Sequence, residues 1–71
     1  MLVMNKGIDG HIPLANLVGG RLEGKIYGDK RGRFEDGCDI ITSTVVELKW
    51  SRQGIVAKTK NSLYLCLEVR V

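Results

Sequence analysis

Leu63-Tyr64-Leu65-Cys66-Leu67-Glu68-Val69-Arg70-Val71 carries the clearest period in the chain. Leu63, Leu65, Leu67, Val69 and Val71 fall on one side of an extended backbone, and Tyr64, Cys66, Glu68 and Arg70 fall on the other. The first half is apolar on both sides. A strand of that kind is central in a sheet, or is covered on its second face by another layer such as a second copy of the protein. The reading places this strand near the centre of the sheet and makes a homodimer through it an expectation, because a domain of 71 residues has little area with which to cover two apolar faces.

Working back from this segment, the same period recurs between short turns. Ile55 to Thr59 reads as a strand, closed on one side by Lys60-Asn61-Ser62 and on the other by Ser51-Arg52-Gln53-Gly54. Ile40 to Thr44 and Val45 to Trp50 are rich in β-branched residues and read as extended, as one long bent strand. Leu22, Gly24 and Ile26 alternate with Glu23 and Lys25 before a glycine-rich break at Gly28 to Gly32, and Asp36-Gly37 is a dipeptide that closes β-hairpins. Four to five short strands therefore predict an all-β fold, a small antiparallel meander or SH3-like open barrel.

The first twenty residues differ in texture, with three glycine breaks and few charges. Residues 1–20 read as a lead-in segment packed on a small β domain of residues 21–71, within one domain in total. Pro13 fits the first position of a short helical turn with Leu14, Leu17 and Val18 on one side and Gly19 as its stop.

Composition supports a folded chain without assigning it a task. Hydrophobic residues make up 44% and charged residues 27%, ordinary values for a globular protein, and nine glycines against one proline favour many turns. The net charge of +3 suits solubility and demands no polyanionic partner. Apolar runs are only a few residues long, far below the roughly 20 that cross a bilayer as a helix, and no secretory signal is read near Lys6. Cys38 and Cys66 show no CxxC pairing and stand with a single histidine, so no zinc site, other metal site or cofactor is expected. Two unpaired thiols fit a cytoplasmic protein.

Few residues suggest chemistry. His11 lacks a neighbouring nucleophile, and Asp9 at i−2 in a glycine-flanked segment fixes no geometry. Asp29, Glu35, Asp36 and Asp39 surround a turn but fail the EF-hand spacing, and Lys30, Arg31 and Arg33 nearly cancel their charge. These acids read as turn-forming and solvated. The sharpest local feature is Lys30, Arg31 and Arg33 flanked by Tyr27 and Phe34, since cations interleaved with aromatic rings can meet phosphates and stacked bases. A charged hairpin loop beside two core aromatics produces the same string. Trp50, after Val46 and Leu48, reads as a core or rim aromatic whose indole can anchor an interface.

The pieces Tyr27-Gly28, Gly32-Arg33-Phe34-x-Asp36-Gly37, Ile40-x-Thr42-Ser43 and Thr59-x-Asn61-Ser62-x-Tyr64 make the stretch from Tyr27 to Tyr64 resemble small proteins encoded by bacteriophages and prophages. That resemblance implies a bacterial or phage cytoplasm and a small accessory protein, and it carries over no active site. No pair of residues has a spacing that catalysis requires, so no enzyme is expected. The leading expectation is a binding module that occupies or inhibits a protein partner. The alternative is a nucleic-acid-binding barrel that uses Lys30 to Phe34, and the candidate contacts are Tyr27, Lys30, Arg31, Arg33, Phe34 and Trp50.

Overall fold

The computed structural model describes residues 7–71, and the first six residues of the segment read as a lead-in, Lys6 among them, lie outside the described residues. The fold is all-β. Seven strands follow in order: β1 Gly10–His11, β2 Leu14–Val18, β3 Arg21–Ile26, β4 Cys38–Ser51, β5 Gly54–Thr59, β6 Leu63–Cys66 and β7 Glu68–Arg70. They form one sheet in the order β1-β6-β5-β4-β3-β2-β7, and it is not closed, since β1 and β7 share no ladder. The seven strands come from five extended runs, because β1 and β2 are one run interrupted at Ile12–Pro13, and β6 and β7 are one run interrupted at Leu67.

Each interruption has a local cause. Leu67 and Glu68 both donate their backbone N–H to the carbonyl of Pro13, at 3.0 and 2.9 Å. Two donors on one acceptor are the mark of a bulge, which re-aims the side chains that follow. Tyr64 and Cys66 point into the core, Leu67 and Glu68 are both exposed, and Val69 turns back to pack against the core. The uniform alternation read from Leu63 to Val71 therefore breaks at Leu67. Of the two faces, the one with Leu63, Leu65 and Leu67 is half-buried or exposed, and the opposite face, with Tyr64 and Cys66, supplies the core. Nor is this run central. β6 lies second from one edge of the sheet and β7 forms the other edge, while β4 takes the middle.

No helix occurs among the described residues, so the expected helical turn at Pro13 to Val18 is corrected to strand β2. Leu14, Ala15 and Asn16 pair in parallel with β7, and Asn16, Leu17 and Val18 pair antiparallel with β3. A six-residue helix gains little from its own hydrogen bonds, whereas this strand is paired on both edges and buries Ala15. The glycines that imitate a helix stop form the turn to β3. Gly19 and Gly20 have φ of 59° and 78°, and positive φ at both central residues of a two-residue hairpin matches the right-handed twist of its strands.

β4 is the long bent strand expected from the sequence. Its first half pairs with β3 and its second half with β5, on opposite edges, and the register shifts within both ladders. Where the β3–β4 register slips, the buried N–H of Leu22 donates to Thr42 Oγ1 at 3.1 Å in place of a ladder bond. The sheet thereby curls around Ile12, Ala15, Leu22, Ile26, Ile40, Ile55, Ala57, Tyr64 and Cys66, with Leu17, Val45 and Val69 packed against them. Burying each of the larger side chains contributes about 1.5–3 kcal/mol. Gly24 permits a close crossing, since a Cβ there would lie 2.7 Å from the Leu14 carbonyl oxygen and 2.8 Å from Ile12 Cγ2.

Candidate binding surface

The loop from Gly28 to Gly37 is organised by one carboxylate. Asp29 Oδ2 accepts the backbone N–H groups of Arg33 at 2.7 Å and Phe34 at 3.1 Å, and Oδ1 accepts the Arg31 N–H at 3.3 Å and Arg33 Nη2 at 3.0 Å. An aspartate at the head of a turn can satisfy the N–H groups that the turn leaves without ladder partners. The side chain has no exposed surface, and the Arg33 guanidinium, helped by these backbone donors, holds its carboxyl at about 2, against an ordinary value of 3.8. Asp29 is thus a turn-former, as expected, and is not solvated. Asp36 does similar work with a single bond, accepting the Gly28 N–H at 2.7 Å.

Two of the three cations of this loop, Arg31 and Arg33, are committed to the protein's own frame. Arg33 reaches Ser62 Oγ at 3.2 Å and the Tyr64 hydroxyl at 3.5 Å, and its guanidinium carbon sits 5.3 Å from the centre of the Phe34 ring. Arg31 pairs with Asp9 at 3.4 Å and donates to the Asn61 carbonyl at 2.7 Å. Asp9 in turn accepts the Leu63 N–H at 2.9 Å, so the pair fastens loop, N-terminal run and β6 together. Lys30 is exposed, and no ion pair involves it among the described residues. The role of Asp9 was not legible in the sequence, and Asp29 was legible only as a turn-former, because the partners of each are brought near by the fold or by the turn itself.

Tyr27 belongs to a different feature. Between the His11–Tyr27 bridge and the Asn16–Glu23 pair, the N-terminal run has one more residue than the run that faces it. A cleft of about 550 Å³ opens there, lined by Pro13, Leu14, Gly24, Lys25, Tyr27 and Asp39. A second cleft of about 390 Å³ shares Gly24 and Asp39 with it and extends along Asn16, Glu23 and Ile41. Leu14 and Ile41 are 60% and 64% exposed, and the Lys25–Asp39 ion pair at 3.2 Å supplies the charge. Exposed aliphatic and aromatic walls with a few fixed polar groups suit the capture of an apolar side chain.

Trp50 is neither core nor rim. It is 85% exposed near the tip of the β4–β5 hairpin, while the Lys30 to Phe34 loop precedes the other end of β4, so the structure does not gather the six candidate residues into one site. Tyr27 and Phe34 are less exposed, at 40% and 38%. His11 is exposed on β1, and among the described residues no group of three His, Cys, Asp or Glu is placed to hold a metal ion. Cys38 and Cys66 are both free thiols. Of the cleft residues, Pro13, Leu14, Lys25, Asp39 and Ile41 were missed. The only hint was the pair of exposed-side apolar residues Leu14 and Ile41, and they come together only when β2 is a strand. Compared with known proteins, the chain matches no family model, no curated protein and no solved structure.

Proposed function

We propose that this protein is a non-enzymatic binding module that receives an apolar or aromatic side chain of a protein partner in the cleft between β2 and β3. One observation carries the reading, namely the apolar wall of Pro13, Leu14 and Tyr27, continued by Ile41, around a fixed Lys25–Asp39 pair. Apolar anchors seated in a small pocket supply most of the binding energy in protein interfaces. The resemblance to phage and prophage proteins favours a partner in a bacterial cytoplasm. The ion pairs of Arg31 and Arg33 speak against a polyanion as the principal ligand, since Asp9 and Asp29 already offset the charge that a phosphate would seek.

The test is a pull-down from bacterial lysate with and without nuclease, using the natural chain and Leu14→Asp. Leu14 is exposed, so its replacement leaves the fold intact. Protein captured in the presence of nuclease and lost with Leu14→Asp supports the cleft as the binding site. Capture that disappears on nuclease treatment and is indifferent to Leu14→Asp returns the function to nucleic acid.

A further inference from the structure

Among the described residues, the second half of β4 is paired on one edge only. Its ladder with β3 ends at Arg21–Thr44, and the last backbone bond on that side runs from the Val45 N–H to the Gly20 carbonyl at 2.7 Å. From Glu47 to Ser51 the strand continues in register with β5, and among the described residues no backbone partner lies on its other edge. Alternate residues of this stretch therefore turn N–H and C=O groups outward. Leu48 and Trp50 lie opposite Ala57 and Ile55, both buried, so they share the core-facing side of the hairpin, yet they overhang the core and remain exposed. An exposed edge with apolar side chains is a template for pairing with another strand.

We infer that this edge pairs with the same edge of a second copy, antiparallel about a two-fold axis through Leu48. The charges select that register. With Leu48 opposite its own copy, Glu47 faces Lys49 of the second copy, Lys49 faces Glu47, and Trp50 faces Val46. Glu47 and Lys49 are exposed, lie 3.7 Å apart within one chain, and would become an alternating row of four charges across the interface. A shift that places the axis at Lys49 sets like charges directly opposite one another, which is unfavourable. A lone lysine blunts an edge strand, whereas a lysine with a glutamate two residues away makes the edge complementary to itself. The C-terminal run offers less to a second copy, because β6 is paired on both edges and β7 is three residues long.

The full chain carries its own reporter, since Trp50 is the sole tryptophan and is exposed. Sedimentation velocity and tryptophan emission are followed on dilution for the natural chain, Glu47→Lys, Lys49→Glu, and an equimolar mixture of these two variants. The natural chain should dimerise, with emission shifting to the red as it dissociates. Each single reversal turns both cross-pairs repulsive and should weaken the dimer roughly tenfold or more. The mixture should recover it, because the two lysines that the Glu47→Lys chain presents on this edge then face the two glutamates presented by the Lys49→Glu chain. The mixture is the deciding arm, as each variant's internal contacts with Lys58 and within its own strand are the same alone and mixed. A natural chain that stays monomeric at high micromolar concentration overturns the inference, as does a dimer indifferent to single reversal or a mixture that fails to recover. Leu14→Asp lies on the other half of the sheet and should leave the dimer unchanged, which keeps this outcome separate from that of the cleft.

Discussion

The loop between β3 and β4 and the tip of the β4–β5 hairpin are both exposed, and they are built in opposite ways. In the loop Arg31, Arg33, Asp29 and Asp36 all have partners, with Asp29 enclosed by three backbone N–H groups and the Arg33 guanidinium. At the hairpin, large apolar side chains are exposed and a strand edge has no backbone partner among the described residues. The loop looked like the binding surface because it concentrates charge and aromatic rings. Charges that satisfy each other hold a shape and leave little for a ligand, whereas apolar surface without a partner retains its full driving force for association.

Ile40 lies in β4 between these two regions, buried against β3 and the core. Ile40→Ala should cost about 2–5 kcal/mol, the usual range for such a truncation, and for so small a domain that approaches complete unfolding. Denaturant titration measures it. A cost below about 1 kcal/mol would mean that loop and hairpin are not held by a common core.

Asp29 comes next. Its folded carboxyl titrates at about 2, below the ordinary 3.8, so the carboxylate contributes stability that is fully present above about pH 4 and is lost as the pH falls through about 2. Asp29→Asn should therefore melt at a lower temperature than the natural chain at neutral pH, and the gap should close on acidification over that window. A gap independent of pH would show that the charge on Asp29 contributes nothing to the loop. Lys30→Ala should leave the melting temperature unchanged at either pH.

The thiols compare the open start of β4 with the core beneath β6. Burial pushes the Cys66 thiol up to about 11, and Cys38 is exposed where the loop meets β4. Alkylation of the native protein near pH 8 followed by mass spectrometry should give a single rapid adduct, at Cys38. Rapid double labelling would show that the core opens at β6.

The smallest effect on stability belongs to Trp50. Trp50→Ser removes the largest exposed side chain of the hairpin and should change the stability of the monomer by no more than about 0.5 kcal/mol. A larger loss, measured at concentrations where the protein is monomeric, would mean that the indole packs on its own chain.

Period-two alternation in Leu22 to Ile26, Ile40 to Trp50, Ile55 to Thr59 and Leu63 to Cys66 was enough to establish an all-β chain of short strands, because burial on one face of a pleat imposes that pattern locally. The bend of β4 was legible too, in two β-branched runs without a turn between them. The sequence could not distinguish which face of Leu63 to Val71 is inside, since its first half is apolar on both faces and the bulge at Leu67 is set by the Pro13 carbonyl, far away in the chain. Nor could it show Leu14 to Val18 as a strand, because a proline-led apolar run followed by two glycines fits a helix with its stop as well as a strand with its turn. The partners on β3 and β7 decide between them. Likewise the availability of Arg31 and the exposure of Trp50 are not properties of those residues. They follow from where Asp9 lies and from how far the β4–β5 hairpin extends past the core, and both depend on contacts between residues distant in sequence.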